Sequence, residues 1–338
     1  MKTGKLPIGV LERLLAGLPA GDSRVVVGPR VGEDAAAISF GDVAVVAGMD
    51  PITFATDLIG WYAVQVNAND VAVMGARPRW FLAALLLPPD SPDGSAEEVF
   101  GQLGRACEEL SITPVGGHTE VTGAVSQPVV VGCMLGEASS QGIVTTGGAR
   151  PGDVVLLRGS AGVEGTAVLA REAGEALSTR GVELEQIERA KRFLFDPGIS
   201  VVRPALAAAS VGVSAMHDPT EGGIASGLLE LARASAGGIE VDLDRVPVLP
   251  VTQLVCEALG LDPLGLIGSG ALLITTGADD VTAVQDALRA AGDDATVIGR
   301  VLPESEGLWA ERAGKRHPLP VFERDEVARF LDGLSGPA

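Results

Sequence analysis

Three aspartates lie among apolar residues, where an ionised side chain is unusual. Asp34 stands in the segment Val31-Gly-Glu-Asp-Ala-Ala-Ala-Ile38, Asp50 follows the apolar residues 45–49, and Asp70 lies in the stretch 66–74. An unpaired buried carboxylate is costly, so such groups are paired, hydrogen-bonded or metal-bound. Mg²⁺ takes carboxylates from scattered positions and keeps waters and phosphate oxygens as its other ligands. The three aspartates are therefore candidate Mg²⁺ ligands, with helix caps and turn bonds as the alternative for each.

The same apolar stretch contains a second polar residue on the face that carries Asp70. A helix is predicted over residues 59–74, with Gly75-Ala-Arg-Pro78 as its stop signal. Asn67 and Asp70 are three residues apart, so they share one face of this helix. Capping explains such a pair poorly, because it lies in the middle of the helix.

Two glycine-containing segments could bring the backbone close to a ligand. In Pro114-Val-Gly-Gly-His-Thr-Glu120, which is predicted to precede a strand, His118 and Glu120 are candidate ligands or acid–base groups. A tight turn with a hydrogen-bonded histidine is the alternative there. In Asp218-Pro-Thr-Glu-Gly-Gly223, which leads into a predicted helix, Asp218 or Thr220 could simply cap that helix.

The apolar spacing along the chain predicts the elements that must position these residues. Strands are predicted over 43–46, 80–87, 127–135, 153–157, 239–241 and 272–275, and helices over 8–18, 59–74, 97–110, 165–172, 199–209, 224–236 and 281–291. Residues 136–150 are rich in Gly, Ser and Thr and are predicted to hold the domain boundary. Strands that alternate with helices predict an α/β fold, with α+β layers in both halves.

Composition excludes several classes of protein. With 25 basic and 44 acidic residues among 338, the net charge of −19 argues against a nucleic-acid surface. The longest apolar run, near residues 80–87, is far shorter than a membrane span, and Glu12 and Arg13 interrupt the first apolar segment, unlike a signal peptide. Three widely spaced cysteines without a CxxC motif fit a reducing cytoplasm, and Cys107 and Cys256 are expected to be structural.

Together these segments resemble the AIR synthase (PurM-like) superfamily over nearly the whole chain, from about residue 5 to residue 330. The matching motifs are Gly32-Glu-Asp-Ala-Ala36, Asp50, Asn69-Asp-Val-Ala-Val-Met-Gly-Ala-Arg-Pro78, Gly116-Gly-His-Thr119, Arg150-Pro-Gly-Asp153 and Asp218-Pro-Thr-Glu-Gly-Gly223. Within the superfamily, the last of these motifs and Gly260-Leu-Asp-Pro-Leu264 are most similar to the hydrogenase-maturation carbamoyl dehydratase HypE.

The resemblance implies a PurM-like two-domain fold. An N-terminal domain, residues 1–148, binds ATP and dimerises by joining strands into a shared β-barrel, and a C-terminal α/β domain spans residues 149–338. The resemblance also implies ATP and Mg²⁺ as cofactors. Asp34, Asp50 and Asp70 would hold Mg²⁺ and phosphate. The nucleotide would contact residues from both halves: Asn67, Asn69, Gly116, Gly117, Thr119, Gly222 and Gly223.

The implied reaction is ATP-driven phosphorylation of an acceptor oxygen, with His118 and Asp218 on the acceptor side. The chain departs from HypE in having no cysteine after Cys256, so modification of its own tail is not expected. It has His118 where HypE and thiamine-monophosphate kinase have Asp, and Glu120 is a possible replacement. We therefore expect a cytoplasmic, homodimeric HypE paralogue without membrane or nucleic-acid partners. A thiamine-monophosphate-type kinase and a non-catalytic nucleotide-binding maturation partner are the alternatives.

Overall fold

A computed structural model describes residue 6 and residues 8–19, 21–53 and 57–334. The chain divides into two compact units. The N-terminal unit comprises residues 22–28 and 34–143, and the C-terminal unit comprises residues 1–21, 29–33 and 144–338. The predicted domain limits, 1–148 and 149–338, stay a prediction, and their outer ends, residues 1–5 and 335–338, lie outside the described residues.

The chain is a mixed α/β protein, as the sequence predicts. In the N-terminal unit the elements are β1 Val25–Val27, β2 Ala36–Phe40, β3 Val43–Ile52, α2 Ile59–Val73, β4 Arg77–Leu87, α3 Ser95–Glu109, β5 Thr113–Val121 and β6 Val129–Ser139. The remaining elements are α1 Ile8–Ala16, β7 Val154–Arg158, α4 Val163–Glu172, α5 Gly174–Thr179, α6 Leu184–Lys191, α7 Val202–Val211, β8 Ala215–His217, α8 Gly223–Ala234, β9 Gly237–Asp242, α9 Pro250–Leu259, β10 Leu272–Thr276, α10 Val281–Ala290, β11 Ala295–Pro303, β12 Leu308–Arg312, β13 Lys315–Pro318 and α11 Glu326–Leu334.

The N-terminal unit is a six-stranded sheet in the order β1-β2-β3-β6-β4-β5. All neighbours are antiparallel except β4 and β5, which are parallel. Helix α2 packs against β3, β4 and β6 and also against α3. All 15 of its residues are buried, because the sheet covers it on one side and α3 on another.

The opposite face of the central strands is apolar and only half-buried. Alternation along each strand places three residues of β3, three of β6 and three of β4 on this face. They are Val45, Ala47, Met49, Val131, Cys133, Leu135, Leu82, Ala84 and Leu86. We refer to these nine residues as the open sheet face.

The C-terminal unit is a seven-stranded sheet in the order β13-β12-β9-β11-β7-β10-β8, and β12 with β9 is its parallel pair. Its core joins apolar side chains of the sheet to those of α8, with Leu157, Leu228, Ile239, Leu273 and Ile298 at its centre. Among the described residues, no helix is both long and apolar enough to cross a membrane.

Two local predictions are wrong. The segment of residues 114–120 is not a turn before a strand but part of the edge strand β5, every residue of which is exposed. Glycines fit there because a Cβ on Gly117 would lie 2.0 Å from the carbonyl oxygen of Ala83 on β4. Strand β6 continues to Ser139, beyond residue 135, where the predicted strand ends.

Candidate functional site

The side-chain amide of Asn67 fixes the backbone of β3 at Asp50. Its Oδ1 accepts the N–H of Asp50 at 2.8 Å, and its Nδ2 donates to the carbonyl of Asp50 at 3.3 Å and to that of Ala63 at 2.8 Å. Asn67 is fully buried and Asp50 is half-buried. The amide therefore holds α2 to the strand and sets where the Asp50 carboxylate lies.

A glycine on the neighbouring strand makes room for this amide. Gly132 of β6 is paired with Asp50, and an added Cβ there would lie 2.4 Å from Nδ2 of Asn67 and 2.9 Å from the ring of Phe81. No side chain can occupy that position without displacing Asn67. The contact between helix and sheet thus depends on an amide and a glycine together.

Asp70 lies one turn further along α2 and is 5% exposed. A Cβ on Gly48 of β3 would lie 3.2 Å from the Cβ of Asp70, 3.5 Å from its Oδ2 and 3.7 Å from the Cβ of Ala35. Asp70, Gly48 and Ala35 therefore meet at one point of the sheet. Asp34 is the residue before Ala35 and is half-buried. The backbone thus brings the three predicted metal residues to one region, on β3, on α2 and just before β2.

Asn69 is fully buried in α2, next to Asp70. Among the described residues, no three His, Cys, Asp or Glu side chains lie close enough together to form a metal site by themselves. Mg²⁺ commonly takes one or two carboxylates and completes its shell with waters and phosphate oxygens. The arrangement in the N-terminal unit is suited to a metal that arrives with a phosphate group.

The residues predicted in β5 lie elsewhere on the sheet. His118 is in register with Ala84, then Val131, then Pro51, so three strand spacings separate it from β3. That is about 14 Å at the usual spacing of strands. The register also places His118 on the side of the open sheet face, whereas Asp50 shares the α2 side with Gly48. Within one subunit, Gly116, Gly117, His118 and Thr119 do not meet the carboxylates.

His118 and Glu120 are themselves neighbours on this exposed strand. Nε2 of His118 lies 3.5 Å from Oε2 of Glu120, and their side chains are 67% and 51% exposed. An ion pair this exposed contributes little to stability. The pair is thus open to solvent or to a partner.

In the C-terminal unit, the loop of residues 218–223 joins β8 to α8. Asp218, at its start, is 1% exposed. Gly222 donates its N–H to Oδ2 of Asp325 at 2.8 Å. A Cβ on Gly223 would lie 2.4 Å from the carbonyl oxygen of Leu266 and 2.6 Å from that of Leu264. The positive φ of +77° favours glycine at position 222, lack of space requires it at position 223, and the bond to Asp325 fixes the loop at Gly222.

A buried histidine flanks this loop and was not singled out from the sequence. His217 is 3% exposed, and its Nε2 lies 2.9 Å from Oε2 of Glu230 on α8. The pair ties the strand before the loop to the helix after it. The available signal was a His and a Glu 13 residues apart, which is too far in sequence to be read as a pair.

Sequence reasoning also missed two buried carboxyl groups near the loop. Burial raises the pKa of Glu164 to about 7. Hydrogen bonds from Ser269 lower this pKa in part, and the negative charge of Asp325 raises it further. Burial likewise raises the pKa of Asp325 to about 6, although hydrogen bonds from the backbone of Gly222 and Val327 oppose the rise. Neither residue has a local signature in the sequence, because Glu164 stands in the first turn of α4 like many exposed glutamates and Asp325 reaches the loop from more than 100 residues away.

The cysteines carry no reactive thiol of low pKa. Burial raises the pKa of Cys107 to about 11 and that of Cys256 to about 12. Cys133, half-buried on β6, also has a raised pKa. The expectation that Cys107 and Cys256 are structural agrees with this, since a thiol that stays protonated is a poor nucleophile.

The Asn67 contact predicts a loss of stability. Asn67→Ala leaves the N–H and carbonyl of Asp50 without their partner and opens a small cavity, so we expect it to lower the free energy of unfolding by about 2 to 3 kcal/mol. Urea titration followed by circular dichroism measures this. Gln127→Ala is the control, because the exposed Gln127 also donates its amide to a backbone carbonyl, that of Thr53. An equal effect of the two substitutions would contradict the assignment.

The raised pKa of Glu164 predicts that replacing this residue by glutamine stabilises the protein at high pH. The pKa rises from 4.5 to about 7 on folding. The folded state therefore binds this proton more tightly, and stability falls as pH rises from 4.5 through 7. The side chain of Glu164→Gln stays neutral at both pH values. In urea titrations at pH 8 we expect its free energy of unfolding to exceed that of the parent by up to roughly 3 kcal/mol, and at pH 4.5 we expect the two to be equal. The exposed Glu175→Gln is the control, and a gain that does not depend on pH would contradict the prediction.

Comparison with known proteins places the chain in a family. The family model "AIR synthase related protein, N-terminal domain" matches residues 32–138, and "AIR synthase related protein, C-terminal domain" matches residues 150–309. Carbamoyl dehydratase HypE of Cupriavidus necator is 30% identical over 85% of this chain and 77% of its own length. A putative hydrogenase expression/formation protein of Methanocaldococcus jannaschii is 27% identical over 88% of each chain.

A solved structure agrees with these relatives. The crystal structure of hydrogenase maturation protein HypE in complex with ATP has a TM-score of 0.72 and 26% identity, covering 93% of this chain and 91% of that chain. The two family models match both halves of the sequence, and the fold follows the same likeness over nearly its whole length. The chain belongs to the AIR synthase related family and is similar to HypE within it.

Proposed function

We propose that the protein is an ATP- and Mg²⁺-dependent enzyme that phosphorylates an acceptor oxygen, as a paralogue of HypE. The observation that carries the proposal is the set of carboxylates in the N-terminal unit. Asn67 fixes the backbone at Asp50, and Asp70 lies against Gly48. A relative of the same fold has been solved in complex with ATP.

The donor chemistry of this region fits Mg²⁺. Asp34, Asp50 and Asp70 offer hard carboxylate oxygens, the ligand type that suits Mg²⁺. In the proposed site these aspartates hold the metal with the phosphates, and bound Mg²⁺ would supply neutralisation of phosphate charge. Asn69 orients them, while Asn67, whose amide is engaged with backbone groups, acts by placing Asp50.

The proposed reaction transfers the terminal phosphoryl group of ATP. The bond from the terminal phosphorus to its bridging oxygen breaks, a bond to the acceptor oxygen forms, and ADP leaves. The acceptor gives up its proton or, for a carbamoyl group, becomes ready to lose phosphate. We assign the acceptor side to Asp218 and His118 and nucleotide contact to Gly222 and Gly223, as the resemblance implies. Phosphorylation converts a poor leaving oxygen into a good one, as a dehydration requires.

The open sheet face supports a homodimer. Its nine residues are apolar and half-exposed on three adjacent strands, and the neighbouring edge strand β5 is exposed along its whole length. A surface of this kind marks a protein interface. Joining two such sheets into a shared barrel covers both features. Because three strand spacings separate His118 from β3 in its own subunit, we propose that it serves the site of the partner subunit. The free cysteines fit a cytoplasmic location, which we also propose.

The carboxylate site predicts a metal-dependent loss of nucleotide binding. We expect calorimetry to detect Mg²⁺-dependent ATP binding by the parent and at least a tenfold weaker affinity for Asp70→Ala, since a carboxylate ligand is lost. Asp93→Ala is the control, because Asp93 is exposed on the same unit. Equal binding by the parent and Asp70→Ala would contradict the site.

An ADP-release assay, run beside the calorimetry, separates the alternatives. Release of ADP that depends on added thiamine monophosphate would favour the kinase. Tight ATP binding without any turnover would favour a non-catalytic maturation partner. A parent that does not bind Mg²⁺-ATP at all would remove the enzyme proposal.

The position of His118 predicts complementation between subunits. Asp70→Ala and His118→Ala, each inactive alone, are co-expressed with different tags and the mixed dimer is purified. One of its two sites then has both native residues, so we expect about half of the parent turnover per dimer. An inactive mixed dimer would place His118 in the site of its own subunit. A monomeric mass in sedimentation would contradict the interface itself.

A further inference from the structure

We propose that Asp325 is a positioning residue of the loop of residues 218–223, which makes helix α11 part of the acceptor side of the site. This rests on the proposed function, because that function gives Asp218 its role. The assignment starts from one carboxylate that serves two segments. Oδ2 of Asp325 accepts the N–H of Gly222, and Oδ1 accepts the N–H of Val327, each at 2.8 Å.

The first of these bonds acts on the loop where it turns into α8. Gly222 has φ +77° and precedes the first residue of that helix. The second bond caps the first turn of α11, as an aspartate at a helix start commonly does. Asp325 is 8% exposed, so both bonds are shielded from water. The loop and the helix are therefore fixed to each other through a single side chain.

The next residue of α11 holds the other wall of the loop. Glu326 is 6% exposed, and its Oε2 accepts the N–H of Asp262 at 3.2 Å. Asp262 in turn accepts the N–H of Leu264 at 2.9 Å, and the carbonyl of Leu264 is one of the two that exclude a side chain at Gly223. The start of α11 thus holds Gly222 directly and Gly223 through residues 262–264.

The start of α4 packs against the same place. A Cβ on Gly165 would lie 3.1 Å from the side chain of Val327 and 2.8 Å from that of Leu266. The preceding residue, Glu164, is 5% exposed and lies close enough to Asp325 to raise its own pKa through that carboxyl. Three segments distant in sequence converge under the loop. The side chain of Asp325 bonds to it at Gly222, and the backbone N–H of Gly268 bonds to the carbonyl of Thr220 at 3.1 Å.

Asp325→Ser tests the bond to the loop alone. Serine is as good a helix cap as aspartate, so α11 keeps its first turn, but its shorter side chain does not reach Gly222. We expect kcat for ADP release from Mg²⁺-ATP to fall 10- to 100-fold and the KM for ATP to rise by a smaller factor, because the loop that carries Asp218, Gly222 and Gly223 is displaced while the aspartates of the N-terminal unit are kept. Asp325→Asn keeps a longer polar side chain and is expected to recover part of the lost kcat.

The matched control is Asp242→Ala, which removes a carboxylate that caps a short helix by accepting the N–H of Asp244, in the same unit but away from the loop. Kinetics of Asp325→Ser equal to those of this control would overturn the proposal. Amide hydrogen exchange provides an arm that does not need turnover. We expect faster exchange at residues 222–226 with unchanged exchange in α11. If the parent shows no turnover, the proposed function fails, and unchanged exchange at residues 222–226 would then overturn the positioning role as well.

Discussion

The bonds between the Asn67 amide and the backbone of Asp50 are the contact on which the candidate site depends. A carboxylate that must hold a metal has to be placed to within a fraction of an ångström, yet it repels its neighbours and is costly to bury. The protein places the backbone of Asp50 through a neutral group, the amide of Asn67. Gly132 and Gly48 serve the same end by leaving space where Asn67 and Asp70 approach the sheet.

The C-terminal unit uses the reverse arrangement. There the backbone of the loop is the part to be placed, and carboxyl groups do the placing. Asp325 bonds to Gly222, and Glu326 acts through Asp262. The placing groups are themselves acids in an apolar environment, which is why burial raises the pKa of Asp325 to about 6 and that of its neighbour Glu164 to about 7. Both units therefore fix a candidate site residue, the N-terminal unit with an amide and the C-terminal unit with acids.

Much of this is predictable from the sequence because it depends on local pattern. Helix α2 and its polar face follow from apolar spacing, and the motif around residues 218–223 is recognisable as a loop before a helix. Contacts between segments distant in sequence could not be predicted. Asp325 has no local signature, and His217 finds Glu230 only when β8 and α8 pack. The error at β5 has a different cause, since paired glycines usually signal a turn and here allow close approach to β4.

The order of strands in the N-terminal sheet constrains how the chain folds during synthesis. Strand β3 pairs with β6 from Val43 opposite Ser139 to Ile52 opposite Val130, and β6 separates β3 from β4. The sheet cannot form its centre until residue 139 has left the ribosome, and non-local pairing of this kind is slow. Until then α2, which is buried throughout in the folded unit, has only a partial surface to cover it. In the growing chain, the helix that carries Asn67 and Asp70 thus exposes apolar surface that favours aggregation.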